Sequence, residues 1–99
     1  MYQYTTPVHI FTISVDLELL SELNILYAQK DKLLFRKTKE DIVETTGKIV
    51  TVTLSQKETG MFDERFPAQI QLHAKMPNGT ALASRTFEVK VHKLLETEI

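Results

Sequence analysis

The strongest constraint on the fold of this chain is an alternation of apolar and polar residues at every second position. The alternation is longest over residues 68–76. The apolar positions there are Ala68, Ile70, Leu72, Ala74 and Met76, and the polar positions are Gln69, Gln71, His73 and Lys75. Successive side chains of a strand point to opposite faces, so this pattern predicts a strand with one buried and one solvent-exposed face.

The same period recurs along the chain and predicts six or seven strands. The other alternating segments are residues 11–17, 23–27, 33–35, 50–54 and 87–91. Half-buried alternation is typical of antiparallel sheets, and the chain lacks the long helical period that parallel crossovers require. We therefore expect an all-β fold, an immunoglobulin-like antiparallel β-sandwich with one or two short helical turns. A small barrel is the alternative.

The length and composition of the chain predict one globular domain. The 99 residues are 42% hydrophobic and 25% charged, which is ordinary for a folded protein. A chain of this length supports one hydrophobic core. We expect a single β-sandwich domain over residues 1–99, with frayed ends at residues 1–6 and 96–99.

Turn residues predict how the strands are connected. Pro77 presets its own φ, Asn78 tolerates unusual backbone, and Gly79 adopts positive φ without steric cost. These three residues predict a hairpin turn between two strands. Residues 29–32 predict a second hairpin.

A short helical corner is predicted after the strand that ends near Leu54. Ser55 and Glu58 have the spacing of a capping box, in which each side chain binds the other residue's backbone N–H. We expect this turn to bridge strands of opposite sheets, with Thr59 and Phe62 anchoring it and Phe62 in the core. Thr38 and Asp41 have the same spacing and predict a second turn.

The residue types that carry catalysis or bind metals are sparse. The chain has no cysteine, its three glycines are dispersed, and no Gly-x-Ser-x-Gly sequence is present. The three histidines, His9, His73 and His92, are interpreted as solvated surface residues rather than metal ligands. We expect no catalytic residue, no metal and no cofactor, and we expect that the protein is not an enzyme and has no small-molecule substrate.

Charge and exposed apolar residues suggest where the protein contacts others. A net charge of −1 argues against nucleic-acid binding. Five basic residues within positions 30–39 are interpreted as an edge strand protected by lysine, and Arg36 and Lys37 are candidate contact residues. A strand over residues 81–91 and its extension at Leu94 and Leu95 form a second candidate contact region. The alternative for these two leucines is that they cover the bottom of the core.

The sequence also bears on where the protein is made. No segment approaches the roughly 20 apolar residues of a membrane helix, so no membrane contact is expected. Residues 1–7 lack the basic and apolar regions of a secretory signal. We therefore expect synthesis and folding in a cytoplasm.

Several segments resemble a family of phage proteins. The segments are residues 27–29 (YAQ), 37–41 (KTKED), 52–59 (VTLSQKET) with Phe62, 69–72 (QIQL) and 78–84 (NGTALAS). Taken in order, they resemble small proteins encoded among the structural genes of phages and prophages of Gram-positive gut bacteria. The chain is more distantly similar to the N-terminal immunoglobulin-like domain of phage upper baseplate proteins. The resemblance covers Val8 to Leu95.

This resemblance implies a non-enzymatic structural or adaptor protein of a phage particle, in the baseplate, the tail or another part of the virion. It also implies that the chain is synthesised in the cytoplasm of a bacterial host. The partners of the chain would be other phage structural proteins or further copies of itself in a homo-oligomer. An alternative is a soluble module that binds a host protein or peptide by edge-strand addition. A hydrolase or sugar-binding domain is a third hypothesis, disfavoured because the chain has no tryptophan platform and no nucleophile motif.

Overall fold

A computed structural model describes the backbone of residues 1–99 and the side chains of residues 1–42 and 47–99. The fold is an all-β sandwich of two antiparallel sheets, which confirms the predicted class, although it has eight strands in place of the predicted six or seven. The strands are β1 (Val8–Thr12), β2 (Glu22–Gln29), β3 (Lys32–Thr38), β4 (Ile42–Thr46), β5 (Ile49–Thr53), β6 (Ala68–Lys75), β7 (Ala81–Ala83) and β8 (Phe87–Val89). Helical structure consists of α1 (Gln56–Gly60) and two 3₁₀ turns, at Leu17–Leu19 and Lys39–Asp41.

The two sheets differ in size. The smaller sheet has the order β1-β5-β4, and the larger has the order β3-β2-β6, with β7 and β8 both pairing with the far side of β6. The predicted strand over residues 81–91 is therefore wrong as a single element. Between the two pairings, residues 84–86 face only residues 71–72, because Ser84 bonds both the N–H and the C=O of Leu72. Three residues of the edge thus face two residues of β6. The one extra residue is a β-bulge that divides the edge into β7 and β8.

The core lies between the sheets and follows the predicted alternation. Its buried apolar side chains come from both sheets and from the connections between them. They are Leu17, Leu20, Leu23, Ile25, Tyr27, Val50, Val52, Leu54, Phe62, Ala68, Ile70, Leu72 and Val91. Full burial of each large side chain contributes about 1.5–3 kcal/mol to folding, so this layer is the main source of stability.

The start of the chain differs from its prediction. Residues 1–6 are docked rather than frayed, because the N-terminal ammonium donates to the Lys90 C=O at 2.8 Å and the Gln3 N–H donates to the His92 C=O at 3.0 Å. The alternating segment over residues 11–17 is also not one strand. Strand β1 ends at Thr12, and Leu17 lies in a 3₁₀ turn, where its side chain is buried.

Both predicted hairpin turns are present. At residues 76–80 the Gly79 N–H donates to the Met76 C=O at 2.9 Å and the φ of Gly79 is +91°, which is a three-residue loop closed by a left-handed glycine. The β2–β3 turn has positive φ at Lys30 (52°) and Asp31 (62°). Two such residues match the twist of a hairpin, although neither is glycine.

Candidate interaction surface

Helix α1 forms the corner that joins the two sheets. The Ser55 Oγ accepts from the Glu58 N–H at 3.1 Å, and the Glu58 Oε1 accepts from the Ser55 N–H at 2.8 Å. The predicted capping box is therefore present, and it connects β5 of the small sheet to β6 of the large sheet. Each half of the box satisfies a backbone donor that the helix itself cannot.

Thr59 and Phe62 lie beneath this corner, and both are buried. The Thr59 hydroxyl donates to the Thr5 C=O at 2.8 Å and accepts from the Thr5 N–H at 3.0 Å, which ties the N-terminal segment to α1. The Phe62 ring meets the rings of Tyr27 and Phe35 edge to face, with centroids 6.4 and 5.7 Å apart. The corner therefore depends on one hydroxyl and one aromatic ring.

Lys37 is a poor candidate for an external contact. Its Nζ lies 2.7 Å from the Glu58 Oε2, and only 14% of its side chain is exposed. The strand period explains this position, because Lys37 lies two residues from Phe35 and shares its inward face. Arg36 points the other way and is exposed, so the two predicted contact residues lie on opposite faces.

Leu94 and Leu95 also differ in their exposure to solvent. Leu94 is half-buried but is not one of the partly buried hydrophobic residues that pack against the core, whereas Leu95 is 97% exposed. The chain after Leu95 remains exposed, although the Ile99 N–H donates to the Gln56 Oε1 at 3.0 Å. Of this pair, Leu95 is free to act as an apolar contact.

The position of His9 differs from the predicted solvated surface residue. It is half-buried on β1, and its Nδ1 lies 2.8 Å from the hydroxyl of the fully buried Tyr27. Burial, and secondarily the negative charge of Glu58, raise the pKa of Tyr27 well above its usual range. Burial, and secondarily the positive N-terminus, lower the pKa of His9. The imidazole and the phenol therefore share this hydrogen bond in their neutral forms, and it holds β1 against β2.

The His9–Tyr27 contact predicts a loss of stability in mild acid. Because the pKa of His9 is lower in the folded state, unfolded chains bind more protons, so stability is complete above the unfolded pKa of about 6.5 and falls as the pH drops below it. Urea unfolding between pH 7.5 and 5 measures this slope. His9→Gln should flatten the slope over the same range, and an unchanged slope would contradict the assignment to His9.

The other histidines lie in different settings. His92 stacks on Tyr2 with ring centroids 4.8 Å apart, and His73 is exposed on β6. Among the residues whose side chains are described, no group of three or more His, Asp and Glu residues is placed to hold a metal ion.

An apolar groove opens between β1 of the small sheet and β6–β8 of the large sheet. Its volume is about 720 Å³, and its lining includes Phe11, Ile13, Leu23, Leu72, Phe87 and Val89. The rings of Phe11 and Phe87 approach each other across it, with centroids 6.4 Å apart. The groove arises where an edge of one sheet faces an edge of the other, so no single segment of the sequence predicts it.

The edge of β1 beside this groove is open. Across the backbone that the structure describes, β5 is the strand neighbour of β1. Val8 and Ile10 point outward with 56% and 67% of their surfaces exposed. A strand edge of this kind presents a row of unpaired N–H and C=O groups to any approaching chain. Edge and groove together form the candidate interaction surface.

No family model, curated protein or solved structure matches this chain. In the described part of the chain, no helix is long and apolar enough to cross a membrane.

Proposed function

We propose that this chain is a non-enzymatic structural or adaptor protein of a phage particle, acting through protein–protein contacts and located in the virion. The observation that carries the contact role is the open β1 edge beside the apolar groove. The resemblance of residues 8–95 to phage structural proteins supports the place of action.

A contact role is supported by the unfavourable exposure of the unpaired β1 edge and of the apolar groove to solvent. Folded proteins protect exposed strand edges with charges, prolines or bulges, and β1 has none of these within Val8–Thr12. Each Å² of apolar surface removed from water contributes about 25 cal/mol, so a partner seated on the edge and over the groove gains from both pairing and burial.

The same edge also supports the alternative, a module that binds an extended host peptide. Strand addition uses backbone hydrogen bonds for affinity and side-chain pockets for specificity. The groove is lined by Phe11 and Phe87, which would accept apolar side chains at alternate positions of such a peptide. The two proposals differ in the partner and not in the surface.

Quantitative mass spectrometry of gradient-purified particles distinguishes them. The particles come from the bacterium that carries this gene, after prophage induction, and a replication enzyme of the same phage serves as the contamination control. We expect the chain in the particles at a fixed ratio to the other structural proteins, with the control depleted. A chain that is depleted from particles together with the control would refute the virion role.

A further inference from the structure

We propose that β1 pairs antiparallel with β1 of a second copy, centred on Ile10, and joins the two small sheets into one sheet of six strands. This inference rests on the proposed contact function and names its partner as the chain itself. It follows from the direction of the backbone groups of β1, the charges of the available edges and the position of the groove.

Backbone direction fixes which residues of β1 can pair outward. The Ile13 N–H donates to the Lys48 C=O, and the Pro7 C=O accepts from the Leu54 N–H. Hydrogen-bonding direction alternates along a strand, so the odd-numbered residues of β1 bond to β5. The N–H and C=O groups of Val8, Ile10 and Thr12 therefore point to the open edge.

These three residues are self-complementary. With Ile10 opposite Ile10 of the second copy, Val8 lies opposite Thr12 at both ends. All three pairs are then of the hydrogen-bonded kind and exchange two bonds each, about six in total. A two-fold axis perpendicular to the sheet generates this register, and the two-fold dimer is the commonest symmetric assembly. The facing side chains are apolar or β-branched, which favours cross-strand packing.

Charge selects β1 over the other edges. Val8–Thr12 carries no Asp, Glu, Lys or Arg, so two copies meet without like-charge repulsion. The β3 edge presents Lys32 and Arg36, both exposed, to any second copy. The β7–β8 edge is divided at Ser84, and β4 has a register shift and a glutamate at position 44 in its sequence. Of these four edges, β1 is the one that is both uncharged and regular.

The groove supplies the apolar burial that a short strand pairing needs. In the paired register, His9 and Phe11 of the second copy lie on the inward face of the joined sheet, because residues opposite each other share a face. These side chains stay packed within their own copy, against Tyr27 and Phe87, so the two grooves adjoin beneath the paired strands. The pairing thereby shields both groove openings, which are lined by Leu82 and Phe87, and an interface of standard size buries about 800 Å² per partner.

A single engineered cysteine tests the register. The chain has no cysteine of its own, so Ile10→Cys introduces one thiol per copy. Cα atoms of a hydrogen-bonded antiparallel pair lie about 5.5 Å apart, within the range of a disulfide. We expect a covalent dimer under mild oxidation. The matched control is Ile49→Cys, which is also exposed on the outer face of the small sheet but lies on β5, and it should stay monomeric.

Sedimentation equilibrium of the uncrosslinked protein tests the backbone pairing. Ile10→Pro removes an outward N–H that has no partner within the chain and blocks approach at the edge, so it should weaken self-association at least about tenfold. Ile10→Thr keeps the N–H and should retain most of the association. Circular dichroism checks that both variants stay folded.

The outcomes separate this inference from the proposed function. β1 self-pairing would be overturned by two results together: a wild-type chain that stays monomeric at millimolar concentration, and an Ile10→Cys variant that forms no disulfide-linked dimer. Such a monomer found in purified particles would leave the virion role standing. A crosslinked dimer that is depleted from particles would support the pairing and refute the virion role.

Discussion

Phe62→Ala is expected to lower the free energy of unfolding by about 3–5 kcal/mol, the usual range for deleting a buried phenylalanine ring. The ring is 1% exposed and packs edge to face against Tyr27 and Phe35, so its removal opens a cavity and breaks two aromatic contacts. Because these neighbours stack on each other at 4.8 Å, they cannot both collapse into the space without losing that contact.

Chemical denaturation followed by circular dichroism measures the effect. Met61→Ala is the matched control, since Met61 is the preceding residue and is 50% exposed. A surface truncation of this kind should change stability by less than about 1 kcal/mol. Similar losses in the two variants would show that Phe62 does not hold the corner.

Thr59→Val is expected to cost about 1–3 kcal/mol, although valine has nearly the same shape as threonine. The Thr59 hydroxyl is the hydrogen-bond partner of both the N–H and the C=O of Thr5. Valine leaves these backbone groups without that partner in a part-buried position. The effect should appear first as release of the N-terminal segment from α1.

Hydrogen exchange and denaturation together test this expectation. Thr59→Ser retains the hydroxyl and loses one methyl group, so it should protect the Thr5 amide better than valine does. Faster exchange of the Thr5 amide in the valine variant alone would show that the Thr59 hydroxyl holds the N-terminal segment to α1. Equal exchange in both variants would instead assign the loss to packing of the methyl group.

The alternation of polarity predicted the fold because burial on one face of a strand leaves a direct mark on every second residue. Ile25, Tyr27, Ile70 and Leu72 are all buried where that period placed them. The helical corner was equally readable, because a capping box is a local interaction between Ser55 and Glu58. Local chemistry and regular burial therefore account for the sandwich and its α1 corner.

The candidate surface was less accessible to sequence reasoning because it depends on contacts between distant segments. The polarity of His9 predicts a surface position, although His9 shares the strand phase of Phe11 and Ile13, and this phase is the signal that indicates its inward position. The charge of Lys37 similarly predicts an exposed side chain, but the ion pair with Glu58 compensates its inward position. The division at Ser84 required the pairing of residues 71–72, which no local pattern reveals.

The bulge at Ser84 also bears on how large an assembly can become. A molecule with two uninterrupted edges could polymerise into a ribbon, since every added copy would expose a fresh template. In the proposed pairing β1 is used up by the second copy, and the joined sheet then ends at β4, which has a register shift. In the large sheet the β7–β8 edge is broken and the β3 edge carries the exposed Lys32 and Arg36. The proposed pairing therefore gives each molecule a valence of one, which favours a closed dimer over a fibre.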